Sequence, residues 1–257
     1  MVQLFKEDIK TPEVLAWKGV HLFHSSGSSC SQKTRIVLNL KGIEWISHPI
    51  NLLKAENYSQ RYLGINPRGL LPALVHNGDV HIESNDIVSY LDDTFETPKL
   101  IPSKYRGRIL EQLNTEDELH LALRTLTFGF CLPSFLTRKP PAALNALESN
   151  EGTVEGKIDS HKKVQLAFWR ELAEHGVTTD QAINAAKRFK KAFSSVEQQL
   201  AGQAFLYGDE ISIVDIVWFI YAHRLRSTGY PFKRLHPGLT SWYYAMLARP
   251  EIATEVA

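Results

Sequence analysis

The dipeptide Asn77-Gly78 is the local sequence signal that most constrains the fold of this 257-residue chain. Asn and Gly tolerate the positive φ angles of a type I′ turn, and that turn joins adjacent antiparallel strands. The short apolar runs 73–76 and 80–82 on either side are therefore predicted to form a β-hairpin. Apolar residues at helical spacing follow directly, so a helix is predicted after the hairpin.

The residues before the hairpin predict a strand–helix–strand unit. Residues 20–23 and 45–50 have the apolar character of strands, and between them the apolar spacing becomes helical from Ser31. Such a unit is expected to be parallel and right-handed. With Ser84 or Asn85 as the cap of the helix after the hairpin, the chain order is βαβ and then ββα. The first hundred residues are thus predicted to form an α/β domain.

Two prolines, Pro98 and Pro102, mark the predicted domain boundary, because no strand-like run follows them. A length of 257 residues allows two domains. The α/β domain is predicted to cover residues 20–97, and an all-α domain is predicted to cover residues 104–257. Residues 1–19 form an N-terminal extension to which the pattern assigns no element.

The second half of the chain is predicted to be helical from its apolar spacing. Residues 211–225 are apolar on nearly all sides, which is typical of a central buried helix. Ser212 and Asp215 are close to a capping box at its start, whereas residues 139–160, which include Pro140, Pro141 and Gly152, are predicted to form a loop. An amphipathic stripe with steps of three and four is formed by Ile183, Ala186, Phe189, Phe193, Val196 and Leu200.

Composition excludes several classes of partner and location. Lys and Arg number 29 against 28 Asp and Glu, and this near-neutral balance gives no electrostatic reason to bind nucleic acid or an anionic membrane. No apolar run reaches the length of a membrane span, and the charged N-terminus lacks the apolar segment of a signal peptide. Cys30 and Cys131 are too few for a disulfide framework, so a reducing cytoplasm is expected.

Residues 28–35 place hydroxyls and one thiol in the loop that opens the first predicted helix. Free backbone N–H groups and the positive end of the helix dipole favour an anion there, and a thiolate is such an anion. The helix start is therefore expected to stabilise the thiolate of Cys30 or of a bound thiol. The alternative is that Cys30 is a small buried residue and that the serines only cap the helix.

Two further features stand where predicted elements begin. Pro72 can begin a strand, and from the residues alone its peptide bond is expected to be trans, with cis as the alternative. Glu83 and Ser84 stand between the hairpin and the next helix. They are either an N-cap or a binding site in which the helix N–H groups hold a ligand carboxylate and Glu83 pairs with a ligand amine. A ligand with the zwitterion of an amino acid would require both the helix N–H groups for its carboxylate and the Glu83 carboxylate for its amine.

These features, in this order and followed by an all-helical half, resemble the cytosolic glutathione transferase family over essentially all of the chain after the extension. Residues 66–72 contain Asn-Pro-x-Gly-x-x-Pro, which resembles the family's turn before a cis-proline. Glu83-Ser84 resembles its γ-glutamyl-binding pair, and Ser212-x-x-Asp215 resembles a helix cap of its C-terminal domain. The resemblance implies an α/β thioredoxin-like N-terminal domain, an all-α C-terminal domain and, usually, a homodimer.

The resemblance also implies how the co-substrate glutathione is bound. The backbone beside the family's proline pairs with the cysteinyl peptide, and the acid–serine pair holds the γ-glutamyl end. Related enzymes often have a basic or polar partner for the glycyl carboxylate after the second strand, and this sequence has asparagine there where many have histidine. The implied glutathione-binding residues are Lys54, Asn57, Leu71, Pro72, Glu83 and Ser84.

Three residues in one turn are candidates for the thiol chemistry: Ser28, Cys30 and Ser31. Phe23-His24, at the end of the first strand, departs from the classes that use a tyrosine there. The cysteine of omega-like members falls on Ser28, and that of tetrachlorohydroquinone dehalogenase-like members falls on Cys30. Bacterial lignin β-etherases have polar residues at these places.

Two mechanisms follow from these candidates. In the first, Ser28 or Ser31 donates a hydrogen bond to the sulfur of glutathione, and such charge-assisted bonds contribute about 1.5–3 kcal/mol. In the second, Cys30 is itself the nucleophile and forms a mixed disulfide with glutathione. A glutathione-dependent role for Cys30 is preferred, because residues 33–35 extend the dehalogenase-like match.

The second substrate is expected to be an apolar or aromatic electrophile, because in this architecture the helix with Arg124, Phe128 and Phe130 borders its pocket. The expected function is a glutathione transferase of detoxification that acts by conjugation, reductive dehalogenation or ether cleavage. The alternatives are a monothiol redox carrier and a non-catalytic glutathione-binding or protein-interaction module.

No metal is expected, since His21 and His24 are the only closely spaced histidines and no Cys or carboxylate completes a ligand set.

Overall fold

The structure is a computed structural model that describes residues 1–133 and 137–256. The described chain divides into two compact units. The first unit joins residues 1–34 and 42–91 to the described part of 135–175, and the second unit consists of the rest. The first unit therefore contains the N-terminal extension, most of residues 20–97 and the described part of residues 135–175.

The strands lie in the first unit and form one main sheet and one small hairpin. The strands are β1 (Val2–Gln3), β2 (Val20–His24), β3 (Ile46–Pro49), β4 (Ala73–His76), β5 (Asp79–Ile82), β6 (Thr153–Val154) and β7 (Lys157–Ile158). The helices are α1 (Ser29–Leu40), α2 (Gln60–Leu63), α3 (Ser84–Thr94), α4 (Arg106–Glu118), α5 (His120–Phe130), α6 (Pro141–Ser149), α7 (His161–His175), α8 (Thr179–Leu200), α9 (Ile213–Ser227), α10 (Phe232–Leu235), α11 (Pro237–Leu247) and α12 (Pro250–Val256).

The main sheet has five strands in the order β1-β5-β4-β2-β3. β2 runs parallel to β3 and antiparallel to β4, so the predicted strand–helix–strand unit and the predicted hairpin are confirmed. Asn77 has φ 53° and Gly78 has φ 91°, as a type I′ turn requires. The N-terminal extension supplies β1, which pairs antiparallel with β5 and forms one edge of the sheet.

Residues 139–160 contain the helix α6 and the β6–β7 hairpin, so the prediction of a loop was wrong there. The loop prediction rests on the prolines and glycine of this stretch. Pro141 instead stands at the first position of α6, where its missing N–H costs no intrahelical hydrogen bond and its fixed φ suits the helix.

The N-terminal extension is tied to the β6–β7 hairpin by the carboxylate of Asp8, which is fully buried. It accepts hydrogen bonds from the backbone N–H groups of Phe5 at 2.9 Å and Gly156 at 3.2 Å. The hydroxyl of Thr153 donates to the same carboxylate. Two stretches far apart in sequence thus share one buried acceptor, which orders both.

The central helix of the second unit is α9, as predicted, and nearly all of its residues are buried. The cap at its start is also confirmed, because the carboxylate of Asp215 accepts bonds from the backbone N–H and the hydroxyl of Ser212 at 2.9 and 2.6 Å. Within the described residues, no helix combines the length and the apolar character needed to cross a membrane.

The predicted stripe on α8 is right in its second half and wrong at its start. Ile183 is exposed, and Ala185 rather than Ala186 is buried. Ala185 lies four residues before Phe189, on the same helix face, so the buried face begins there.

A buried ion pair lies close to the predicted domain boundary. The side chains of Lys41 and Asp92 are fully buried, with 2.8 Å between Nζ and Oδ1. Lys41 also donates to the carbonyls of Phe95 and Pro98, and Asp92 accepts two backbone N–H groups beyond Pro98. Every charge and donor in this cluster therefore has a partner inside the second unit, which is the condition for a stable buried pair.

Candidate active site

Helix α1 begins in a loop whose serines bond with the backbone. Ser28 caps the helix, because its hydroxyl accepts from the N–H of Ser31 at 3.3 Å and its carbonyl accepts from the N–H of Gln32 at 2.8 Å. Ser31 is fully buried, and its hydroxyl accepts from the N–H of Ser25 at 3.3 Å. Both serines therefore set the shape of the loop.

Cys30 occupies the second position of α1 and is half-buried, as is Ser28. Ser31 has no exposed surface. Of the three candidates that the sequence placed in this turn, Ser28 and Cys30 are the two that present surface to a ligand. Cys30 is not joined to Cys131 by a disulfide. The helix N-terminus at this position favours a thiolate.

The junction between β5 and α3 has a backbone conformation that is uncommon for a residue with a side chain. Glu83 has φ 67°, in the left-handed region. Its carbonyl accepts a hydrogen bond from the N–H of Ile87 at 2.8 Å, so Glu83 is the N-cap of α3. Ser84 begins the helix and is buried. A carboxylate and the first N–H groups of a helix thus lie side by side, which suits a ligand with both an amine and a carboxylate.

Lys33 places a positive charge beside the same helix start. It is almost fully buried on α1, and its Nζ donates to Oδ1 of Asn85 at 2.5 Å. Because Asn85 follows directly on Ser84, this contact brings the cation close to the first turn of α3 and favours an anion there.

The turn at residues 66–72 is built around the buried side chain of Asn66. Its Nδ2 donates to the carbonyl of Leu70 at 2.8 Å, and its Oδ1 accepts from the N–H of Arg68 at 3.1 Å. Gly69 has φ 62° and packs against a tyrosine ring where a Cβ would not fit. These contacts explain why the turn has Asn and Gly at these positions.

The peptide bond between Leu71 and Pro72 is cis. The resemblance implied this, whereas the trans bond expected from the residues alone was wrong, because the small intrinsic preference of such bonds is overridden by the fold. No described residue forms a hydrogen bond with the peptide N–H or C=O of Leu71, which stands just before β4. An extended peptide can pair with these two groups as a neighbouring strand would.

Lys54 and Asn57 are placed differently from one another. Lys54 is exposed. Asn57 is buried, its Nδ2 donates to the carbonyl of Gly69 at 2.7 Å, and its Oδ1 has no hydrogen-bond partner among the described residues. Asn57 thus supports the turn, and Lys54 is the better placed of the two to meet a solvent-facing carboxylate.

Arg68 is a residue of this site that sequence reasoning missed. Its buried guanidinium bonds with Glu83 through Nη1 at 2.5 Å and with Asp159 through Nε. The only sequence signal for a role of Arg68 in the site is its position inside the turn at residues 66–72. Its partner Asp159 lies 91 positions further along the chain, where no local pattern can link the two.

The residues predicted for a second-substrate pocket, Arg124, Phe128 and Phe130, lie on α5 in the second unit. The guanidinium of Arg124 lies 6.0 Å from the ring centroid of Phe128, one helical turn away, and Phe130 is exposed. Two grooves of about 620 and 720 Å³ in the same unit are lined by other residues. The pocket stays a prediction.

The histidine pair that raised the question of a metal is engaged in hydrogen bonds. His21 bonds through Nδ1 with Nε2 of His48 and through Nε2 with the carbonyl of Lys18, both at 2.9 Å. His24 bonds through Nε2 with the hydroxyl of Ser47 at 2.8 Å. Within residues 1–133 and 137–256, no group of three or more His, Cys, Asp or Glu side chains is arranged to hold a metal ion.

Comparison with known proteins places the chain in a family. Residues 27–94 match the model for the glutathione S-transferase N-terminal domain, and residues 165–244 match the model for the C-terminal domain. Maleylacetoacetate isomerase from Mus musculus is 30% identical over 163 residues, which cover 54% of this chain and 69% of the mouse protein. Glutathione S-transferase Z2 from Arabidopsis thaliana is 46% identical over 82 residues, which cover 32% of this chain and 36% of the plant protein. The match thus spans about a third of the plant relative's length.

A solved structure extends the likeness to the whole fold. The crystal structure of beta-etherase LigF from Sphingobium sp. strain SYK-6 has a TM-score of 0.76 and 25% sequence identity. The match covers 92% of this chain and 98% of the LigF chain. A thioredoxin-like sheet followed by a half that is helical apart from the β6–β7 hairpin agrees with the architecture that the sequence predicted. The chain belongs to the cytosolic glutathione transferase superfamily.

Proposed function

We propose that this protein is an enzyme that binds glutathione and activates its thiol for attack on a small apolar or aromatic electrophile. The observation that carries the proposal is that the backbone N–H and C=O of Leu71, beside the cis bond to Pro72, have no hydrogen-bond partner among the described residues. The cysteinyl peptide of glutathione supplies the N–H and C=O that such a group needs. Membership of the superfamily supports the same assignment.

The two ends of glutathione have different partners in this proposal. The γ-glutamyl carboxylate lies at the start of α3, where the hydroxyl of Ser84 and the first N–H groups donate to it. The γ-glutamyl ammonium pairs with the carboxylate of Glu83. Exposed Lys54 is the proposed partner of the glycyl carboxylate. Asn57 supports this arrangement through its bond to the carbonyl of Gly69.

The glutathione sulfur is proposed to lie at the start of α1, close to Ser28 and Cys30. In the first mechanism, the hydroxyl of Ser28 donates a hydrogen bond to the thiolate, which then attacks the electrophile. In the second, the thiolate of Cys30 attacks a sulfur of glutathione disulfide, forms a mixed disulfide and releases one glutathione thiolate. The second mechanism is preferred for thiol-exchange and dehalogenase-type reactions, and the first is sufficient for conjugation and ether cleavage.

A second candidate reaction is the cis–trans isomerisation of an unsaturated diacid, which the 30% identity with mouse maleylacetoacetate isomerase favours. The glutathione thiolate would add to the double bond, the resulting single bond would rotate, and elimination would restore the double bond and release the thiolate. Glutathione is then regenerated in each turnover, so a catalytic amount is enough. Conjugation, in contrast, consumes one glutathione per product.

Calorimetry with the full chain and glutathione tests the proposal directly. Saturable binding at or below millimolar glutathione is expected, followed by turnover of an aryl halide, a chlorinated hydroquinone, an aryl β-ether or a maleyl diacid. Absence of binding would overturn the proposal. Binding without turnover of any of these compounds would favour the non-catalytic glutathione-binding module, and glutathionylated Cys30 without turnover would favour the monothiol redox carrier.

Further parts of the proposal concern the setting of the enzyme. We propose a homodimer, a cytoplasmic location, a role in the detoxification of electrophiles and a second-substrate pocket that includes Arg124, Phe128 and Phe130. Light scattering of the purified chain is expected to give twice the chain mass of 29.1 kDa. Turnover is expected to persist in the presence of a chelator, because the proposed chemistry uses no metal.

A further inference from the structure

Arg68 stands between two carboxylates in the first unit. Its Nη1 lies 2.5 Å from Oε1 of Glu83, and its Nε bonds with Oδ2 of Asp159. The side chain of Arg68 is 10% exposed and that of Asp159 is 14% exposed, so these bonds are largely withdrawn from water. Bonds between charged groups in such surroundings are much stronger than at an exposed surface.

Asp159 holds Arg68 from a stretch of chain outside the thioredoxin-like fold. It follows β7 directly, and its Oδ1 accepts bonds from the backbone N–H and Nδ1 of His161 at 3.1 and 3.2 Å. Burial alone would raise the pKa of Asp159, but its bonds with Arg68 and with the N–H of His161 outweigh that effect and lower it. The guanidinium of Arg68 therefore favours the ionised carboxylate, and the backbone N–H of His161 helps to orient it.

The backbone of Arg68 is held as firmly as its side chain. Its N–H donates to Oδ1 of Asn66 at 3.1 Å, inside the turn that precedes Leu71. From the stretch that contributes Asp159, the Nδ2 of Asn150 donates to the carbonyl of Pro67 at 3.1 Å. Hydrogen bonds thus hold the backbone of Arg68 in place, and two carboxylates hold its guanidinium, which leaves the guanidinium little freedom to move away from Glu83.

Glu83 is left with one engaged oxygen and one available oxygen. Its side chain is 27% exposed, and Oε2 forms no hydrogen bond with a described residue. Two carboxylates against one guanidinium leave an excess of one negative charge in this cluster, which an ammonium group would neutralise. An ammonium that pairs with Oε2 would also satisfy the remaining acceptor of Glu83.

We propose that Arg68 and Asp159 are positioning residues for the γ-glutamyl group of glutathione: Asp159 holds Arg68, and Arg68 holds Glu83 with Oε2 presented to the ligand ammonium. This inference rests on the proposed function and deepens it. It gives the stretch with α6, the β6–β7 hairpin and α7 a role in ligand binding, although none of its residues is required to touch the ligand. The specificity that follows is for thiols that carry a γ-glutamyl amine.

The test compares two thiols in wild type and Asp159→Asn. With glutathione, the variant is expected to raise Kd and KM about tenfold at unchanged kcat, as the loss of one charge-assisted contact in binding predicts. With cysteinylglycine, which lacks the γ-glutamyl group, wild type and variant are expected to give the same KM. Asp159→Glu is expected to restore most of the glutathione affinity, and Glu151→Gln, an exposed carboxylate of the same stretch, serves as the matched control.

Several outcomes would overturn the inference. Equal glutathione affinity in wild type and Asp159→Asn would do so while leaving the proposed function intact, and failure of wild type to bind glutathione would remove both. An equal loss with both thiols would mark a purely structural role. Should Asp159→Asn fail to fold by circular dichroism, Arg68→Lys keeps the charge but loses the fork of donors, and the same contrast between the two thiols is expected from it.

Discussion

At the start of α1, the same residues serve the fold and the proposed chemistry. The hydroxyl of Ser28 accepts the N–H of Ser31, and the hydroxyl of Ser31 accepts the N–H of Ser25. Cys30 lies between them, half-buried, where the helix N-terminus favours negative charge. The two serines therefore shape the loop, and Cys30 is the residue of this turn whose substitution tests the cysteine mechanism.

Replacement of Cys30 by serine is expected to abolish thiol exchange with glutathione disulfide and dehalogenase-type turnover. The Kd for glutathione measured by calorimetry is expected to stay within about twofold, because the hydroxyl is close to the thiol in size but is a far weaker nucleophile. Cys131→Ser, at a half-buried cysteine in the second unit, is the control and is expected to keep full activity. Full turnover in Cys30→Ser would show that the cysteine mechanism is wrong.

In the hairpin turn, the stability of the fold depends on a single residue, Gly78. Gly78 has φ 91°, and a Cβ there would lie 2.4 Å from the carbonyl oxygen of Leu15. Gly78→Ala is expected to lower the free energy of unfolding by at least about 1–2 kcal/mol, from the backbone strain alone. Gly107→Ala in α4, where nothing lies within 4 Å of the new Cβ, is expected to be neutral or to stabilise by up to about 1 kcal/mol. Urea unfolding of both variants measures the contrast, and equal effects would contradict it.

Among the elements, the stretch with α6, β6–β7 and α7 is the most informative. Its apolar residues Leu147 and Leu166 pack with Tyr58 and Leu63 in one buried cluster of the first unit. The Nε1 of Trp169 donates to the hydroxyl of Tyr58 at 2.9 Å. Helices that follow the thioredoxin-like region in sequence thus contribute to the core of the first unit.

The link between this stretch and the N-terminal extension can be tested at Asp8. Asp8→Ala would remove a fully buried acceptor shared by the N–H groups of Phe5 and Gly156 and the hydroxyl of Thr153, at an expected cost of about 2 kcal/mol in unfolding free energy. Glu7→Ala, at an exposed neighbour, is expected to change it by less than about 0.5 kcal/mol. Urea titration of both variants gives the comparison. A loss in Asp8→Ala no larger than in Glu7→Ala would contradict the structural role of this carboxylate.

At the scale of the whole molecule, buried and half-buried histidines contribute to how stability depends on pH. Burial lowers the pKa of His81 to about 4, and burial also lowers the pKa of His48, His223 and His236. A histidine whose pKa is lower in the folded than in the unfolded chain binds protons preferentially when unfolded. Its stabilising effect is present above the unfolded pKa of about 6.5 and is lost as the pH falls from there towards 4.

His81 offers a direct test of this dependence. It is 3% exposed, its ring stacks on Tyr90 with centroids 3.8 Å apart, and neither ring nitrogen has a hydrogen-bond partner among the described residues. His81→Phe keeps the stacking and removes the titration. The difference in urea midpoint between about pH 8 and about pH 5 is expected to shrink in this variant, with the gain in stability larger at the lower pH. An unchanged difference would assign the pH dependence to other groups.

Much of the fold could be predicted because its signals are local. The Asn77-Gly78 turn requires positive φ angles that few residue pairs tolerate, and the buried helix α9 is visible in its largely apolar sequence. The helix α6 was missed, since a proline at a first helical position looks the same in sequence as a proline in a loop. The place of β1 was missed because two residues carry no period.

The candidate site likewise has residues that local signals predicted and features that depend on tertiary contacts. Turn signals and helix caps led to Ser28, Cys30, Glu83 and Ser84 directly from the sequence. The cis bond at Pro72 was implied by the family resemblance but not by the residues alone. The tertiary structure alone decided the burial of Ser31 and the contact of Arg68 with Asp159, 91 positions away. The physical reason is that caps, turns and periods depend on neighbours within a few residues, whereas an ion pair between distant residues depends on where the completed fold brings them.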